Sequence, residues 1–277
     1  MTLKKILESS LSEEELKLAP SSFDLVGSKE KTVAIIELPE QLLSKKKVIA
    51  LALMKKHKNV KTVLLKKSPR SGIYRLHDYE LLAGDENTLV IHQESGCKFL
   101  VDVRKAYFST RESTERMRIA KLVGSEEVVM VFFAGVGPFA IIIAKKAKPS
   151  RVIGIEINPD ASHYFRESLK LNKLTNVEVV EGDVRVHAPK YFSAADRIIM
   201  ALPETGHEFL EEAMNCLKPE GIVHFYCFAS PSELVAKKKL VEEAAKQLGK
   251  TVSFHGIHKV LQWGPTIWKM RIDFSVI

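Results

Sequence analysis

Apolar and polar positions change period several times along this chain. Near the start, Leu3, Ile6, Leu7, Leu11 and Leu16 recur at helical spacing, which predicts one or two short helices. Thr32-Val-Ala-Ile-Ile-Glu-Leu reads as a strand that runs into Pro39. Residues 40–57 return to a helical period. Leu42, Leu43, Val48, Leu51, Ala52 and Met54 are predicted on one side, opposite Lys45, Lys46, Lys47, Lys55, Lys56 and Lys58. Further strand-like runs lie at 60–66, 79–83, 88–92 and 98–102, with Asp85-Glu-Asn and Glu94-Ser-Gly as the turns. A small α+β module is expected there, and a helix rich in Arg and Glu over 110–123 follows it.

Beyond residue 128 the pattern alternates. Strands are predicted at 128–133, 151–156, 177–181, 195–200, 221–227, 251–256 and 267–274, and helices at 138–147, 159–172, 206–216 and 231–247. Alternation of this kind implies right-handed crossovers and a parallel sheet covered on both faces. No helix separates the last two strands, so the final one is expected to run antiparallel. The boundary is placed so that residues 1–107 form the first domain and 108–277 the second.

A parallel sheet presents its ligand site at the carboxyl ends of its strands. The first strand there breaks into Phe133-Ala-Gly135-Val-Gly137-Pro-Phe, and the second ends in Glu156-Ile-Asn158-Pro. The two glycines let the backbone bend sharply and come close to a ligand. Glu156 lies where its carboxylate could accept both hydroxyls of a ribose. Pro138 occupies the first helical turn and no glycine cluster remains to cradle a pyrophosphate, which favours a nucleoside without phosphates. S-adenosylmethionine is the commonest such cofactor. Gly182-Asp183-Val184-Arg185 and Met200-Ala-Leu-Pro203 close the other two strands. Asp183 could accept from an adenine amino group or simply cap a helix.

Composition narrows the setting. The excess of 42 Lys+Arg over 34 Asp+Glu, a formal net charge of +8, attracts phosphate-rich partners, although it also serves solubility. Lys46 and Lys55 on the Lys-rich helix are candidate phosphate contacts, with a solvated face as the alternative. Three cysteines without Cys-x-x-Cys spacing and histidines without ligand spacing point to a reducing compartment and no metal site. With no signal peptide and no apolar stretch of membrane-spanning length, a cytoplasmic location is expected. Ser230-Pro-Ser232 is expected to cap the helix near 232, not to form a nucleophile elbow.

Taken together, Tyr107-Phe-Ser-Thr-Arg-Glu-Ser-Thr-Glu-Arg-Met-Arg, Phe133-Ala-Gly-Val-Gly-Pro-Phe, Glu-Ile-Asn-Pro, Gly-Asp-Val-Arg and Leu-Pro-Glu-Thr-Gly-His-Glu-Phe-Leu carry a resemblance. From about residue 20 the chain resembles the archaeal and eukaryotic-type tRNA (guanine-37-N1) methyltransferases. Their relatives are the aminocarboxypropyltransferases of wyosine synthesis. The resemblance implies a class I methyltransferase fold: a Rossmann-like seven-stranded sheet with a small N-terminal α+β domain that positions tRNA. It also implies S-adenosylmethionine as donor, bound by Phe133, Gly135, Gly137, Glu156, Asn158, Asp183 and Val184, and the anticodon stem-loop as partner.

By the same resemblance Glu115 is the general base for the N1 proton. Arg75, in Gly72-Ile-Tyr-Arg-Leu, matches the cation that stabilises O6, and Pro203 shapes the pocket. Arg111 resembles a residue that meets phosphate, or it begins a helix with a salt bridge. Two positions depart from the pattern. Val131 stands where an acid is usual, and Ala201 stands where the methyltransferases carry an asparagine that would hydrogen-bond the target base. The aminocarboxypropyltransferases also lack that asparagine and share a Trp near the last strand, as at Trp268. Gly-Pro-Phe, Gly-Asp-Val-Arg and Leu-Pro side with methyl transfer. A catalytically weakened tRNA-binding paralogue is the third possibility.

Overall fold

The computed structural model describes residues 3–277, which divide after Thr110 into two compact units. In the first unit, α1 (Leu3–Leu7) and α2 (Glu13–Leu18) precede strands β1 (Asp24–Gly27), β2 (Thr32–Ile36), β3 (Val60–Lys66) and β4 (Tyr79–Gly84). A capping box between Ser12 and Glu15 starts α2. The four strands form one sheet in sequence order, and only β2 and β3 run parallel. Their crossover is a 3₁₀ segment (Glu40–Lys45) followed by α3 (Lys46–Lys56). A separate hairpin, β5 (Leu89–Glu94) and β6 (Cys97–Asp102), reverses through Ser95 and Gly96. Both have positive φ, as a two-residue primed turn requires.

The Lys-rich helix differs from its expected phase. Leu42, Ile49, Ala50 and Leu53 face the core with Leu3, Leu7 and Ile36, whereas Leu43, Val48 and Leu51 are exposed. The 3₁₀ turn winds three residues per turn and the α-helix 3.6, so joining them at Lys45 rotates the apolar stripe away from a single continuous face.

A 3₁₀ turn (Thr110–Glu112) straddles the division and opens into α4 (Ser113–Ala120) of the second unit. The sheet that follows contains β7 (Val128–Phe132), β8 (Arg151–Glu156), β9 (Val177–Glu181), β10 (Ala195–Met200), β11 (Leu217–Ala229), β12 (Val252–Gln262) and β13 (Trp268–Val276). Its helices are α5 (Pro138–Lys146), α6 (Pro159–Asn172), α7 (Val184–His187), α8 (Leu210–Cys216) and α9 (Leu234–Gln247). The strand order β12-β13-β11-β10-β7-β8-β9 reverses between β7 and β10, and β13 is antiparallel to both its neighbours. The seven strands and the antiparallel β13 match the sheet anticipated above. Val129, Met130, Val131 and Phe132 are wholly buried, as a central strand covered on both sides demands.

Gly256, read as the end of a strand, instead sits at a register shift, and β12 continues to Gln262. Asp183 caps a short helix, α7, that the pattern of apolar residues did not reveal. Ser230 and Glu233 form the capping box ahead of α9. All three cysteines, Cys97, Cys216 and Cys227, are free thiols buried in the units that hold them. Among the described residues no helix is long and apolar enough to cross a membrane.

Candidate active site

At the carboxyl end of β7 the chain turns through three residues of positive φ: Phe133 (60°), Gly135 (58°) and Gly137 (82°). Gly137 must be glycine for a second reason. A Cβ there would stand 2.1 Å from the Phe165 ring, and one on Gly154 would stand 2.5 Å from it. Phe165 of α6 therefore fills the space that both glycines leave, pressing the turn onto β8. Pro138 begins α5 with no N–H to satisfy.

Glu156 anchors this turn. Its Oε2 accepts the Gly135 N–H at 2.7 Å and its Oε1 the Asn158 N–H at 2.7 Å. Burial raises the affinity of this carboxyl for its proton, and the backbone N–H groups of Asn158 and Gly135 oppose that. Asn158 caps α6 by accepting from Asp160 and Ala161. Asp183 accepts the Arg185 N–H at 2.8 Å, so it is a helix cap, and Val184 behind it is buried. Phe133 meets Phe209 edge to face, with centroids 4.9 Å apart, and Arg185 lies 4.0 Å over the Phe209 ring. Pro203 is buried after β10, and its carbonyl accepts the Phe228 N–H of β11 at 3.3 Å. The structure thus gathers Phe133, Gly135, Gly137, Glu156, Asn158 and Asp183 at the carboxyl ends of β7, β8 and β9.

Glu115 lies in the first turn of α4 and is 3% exposed. Three donors converge on it. Tyr226 O–H and Arg271 Nη1 reach Oε1 at 2.8 and 2.6 Å, and Arg118 Nη1 reaches Oε2 at 2.7 Å. A carboxylate oxygen offers two lone pairs, so Oε1 is filled while Oε2 keeps one acceptor position.

The pattern of apolar residues did not disclose what surrounds Glu115. Arg271 also grips Asp273 through Nε and Nη2 at 2.8 and 3.0 Å. His224 Nδ1 lies 2.7 Å from Asp273, and its Nε2 lies 2.8 Å from Arg197 Nη1. A guanidinium only donates, so Nε2 is the acceptor and Nδ1–H donates to Asp273. Burial lowers the proton affinity of His224, consistent with that neutral form. Burial works against the Asp273 anion as well. Hydrogen bonds from His224 and Arg271 outweigh it and bring the group to about 2. Arg197 finally clasps Glu127 at 2.7 and 2.8 Å. Lys269, a neighbour on β13, pairs with Glu112 at 2.8 Å. The sequence does hold a signal: Lys269, Arg271 and Asp273 alternate with apolar residues along a strand. That spacing ordinarily marks a solvated face.

The remaining predicted residues lie elsewhere. Arg111 is exposed in the turn that opens α4. Arg75 belongs to the first unit, at φ 56° in the tight loop closed by Ser71 and Leu76, where its N–H donates to the Gly72 carbonyl at 3.2 Å. Lys46 is engaged with Glu80 at 2.7 Å, and Lys55 is exposed in the last turn of α3.

The fold and the sequence are similar to those of known proteins. The family described as TRM5/TYW2 methyltransferase domain matches residues 90–253, and the TYW2 N-terminal domain matches 3–88. A tRNA (guanine(37)-N(1))-methyltransferase Trm5b from Pyrococcus abyssi is 41% identical over 261 residues, covering 94% of this chain and 76% of the relative. The crystal structure of wild-type Trm5b from that organism superposes with a TM-score of 0.85 at 40% identity, over 96% of this chain and 78% of the other. Pyrococcus horikoshii TYW2 in complex with MeSAdo gives 0.82 at 30% identity, over 99% and 98% of the two chains. The chain therefore belongs to the TRM5/TYW2 methyltransferase family.

Proposed function

We propose that this protein transfers a methyl group from S-adenosylmethionine to N1 of guanine 37 in tRNA, beside the anticodon. The observation that carries the reading is the 41% identity, spanning both units, to a relative named for that activity. The donor fits the residues present: a carboxylate held at the floor of a glycine turn matches a vicinal diol, and the Pro138 start leaves no phosphate cradle. When bound, S-adenosylmethionine supplies carbons made electrophilic by the neighbouring sulfonium. Glu156 accepts the ribose hydroxyls on its remaining lone pairs, and Asp183, Phe133 and Val184 receive the adenine side.

N1 of guanine is a weak acid, so its proton must leave as the methyl group arrives. Glu115 takes that proton on the acceptor position of Oε2. Negative charge then builds on O6, and stabilising that charge is the role the family resemblance gives Arg75. Arg111, Lys46 and Lys55 meet phosphates of the anticodon stem-loop and so position the RNA, and Pro203 shapes the pocket. The target base must leave its stack to reach this site.

A second reading, aminocarboxypropyl transfer to a wyosine precursor, is favoured by the TYW2 N-terminal match and by Ala201. Incubation with unmodified and precursor tRNA, followed by mass analysis of RNA and by-product, separates the readings. Methyl transfer leaves adenosylhomocysteine and is the expected outcome. Methylthioadenosine would replace it with the second reading. Neither product, alongside retained tRNA binding, would leave a binding paralogue.

A further inference from the structure

Trp263 lies in the turn between β12 and β13 and is 52% exposed. The turn is pinned by the Trp263 and Gly264 N–H groups, which both donate to the Ile267 carbonyl at 2.9 and 3.1 Å. One side of the indole packs on Phe228, with centroids 4.6 Å apart and planes tilted by 34°. β12 is antiparallel to β13, which is antiparallel to β11, so this turn emerges at the carboxyl end of the sheet, as the Gly135 turn does. Phe228 also shares a sheet face with Tyr226, two residues back along β11, roughly 7 Å by strand geometry. Tyr226 holds the Glu115 carboxylate. Lys269 stands directly opposite Phe228 in the ladder and pairs with Glu112, whose chain neighbour is the exposed Arg111. An aromatic row thus runs from the half-exposed Trp263 through Phe228 to the buried Tyr226 beside the carboxylate, with the Lys269–Glu112 pair alongside it.

We propose that Trp263, backed by Phe228, stacks on an unpaired nucleobase of the RNA substrate, while Arg111 meets the adjoining phosphate. This rests on the tRNA reading above. The occupant is a nucleobase because a flat ring with a neighbouring cation suits a stacked base followed by its phosphate, and because the surface is continuous with the candidate site. Every base has a π-face, so this contact holds the strand whatever the base identity and leaves selection to the pocket.

Trp263 and Trp268 are the chain's two tryptophans, so W268F leaves Trp263 as the sole indole reporter. Titration with an anticodon stem-loop should quench its emission saturably. In the otherwise unaltered protein, W263A should raise KM for tRNA about ten-fold with S-adenosylmethionine affinity, melting temperature and kcat nearly unchanged, and W263F should recover most of the loss. Undiminished emission in a stem-loop complex verified by anisotropy, or a parental KM in W263A, overturns the proposal. Saturable quenching without transfer of either group would preserve the stacking surface and remove the enzymatic reading instead.

Discussion

Replacing Glu115 by Gln is expected to lower kcat for tRNA by about 10²- to 10⁴-fold, the range for loss of a positioned general base. Gln keeps the shape of the side chain and can still accept from Tyr226 and Arg271, but it cannot take up the N1 proton. The donor site is built from the Gly135 turn and Glu156, which share no hydrogen bond with Glu115, so S-adenosylmethionine affinity should stay within about two-fold of the parent. Single-turnover methylation, with calorimetric titration of the donor, measures both. Turnover within three-fold of the parent would remove Glu115 from the role of base.

The second large effect concerns stability. Arg271 is 2% exposed and joins two carboxylates, Glu115 and Asp273. Met at this position has a similar length and no charge. The substitution leaves two buried anions short of their shared cation, and breaking a buried pair in this way costs about 3–5 kcal/mol. At roughly 3 °C per kcal/mol for a domain of this size, R271M should melt on the order of 10 °C below the parent. Tyr226 and Arg118 still reach Glu115, and His224 still reaches Asp273, which keeps the loss within that range. Adding E115Q to R271M should cost less than the sum of the single variants, because it removes one of the stranded charges. A melting temperature within 2 °C of the parent would show that Arg271 is dispensable to the network.

What could be read in the sequence follows from how far apart the partners are. Val128–Phe132 reads as a central strand because burial on both faces leaves a continuous apolar run, and Gly135, Gly137 and Glu156 read as a site because their spacing is local. The capping box at Ser230 is local as well. The surroundings of Glu115 are not. Tyr226 lies 111 positions away and Arg271 156, and each has a charged or polar character that by itself suits a solvated surface. Only the packing of α4 over β11 and β13 turns those residues inward. The Lys-rich helix shows a different limit. Its apolar residues fit one helical face on paper, but the change from 3₁₀ to α winding at Lys45 decided which of them reached the core. Asp183 showed that one residue type serves two ends, since the cap it makes on α7 was foreseen as the alternative to adenine contact.

The buried thiols give the molecule a pair of internal clocks. Cys97 is enclosed by the first unit, and Cys216 and Cys227 by the second. Burial pushes Cys216 up to about 12 and Cys227 to about 11, so at neutral pH neither is a nucleophile in the folded state. A bulky alkylating reagent can reach them only during openings that expose the surrounding core. Mapping the rate at which each cysteine is labelled would therefore time the opening of the two units separately in one sample. Adding donor or tRNA would then report which unit each ligand holds shut.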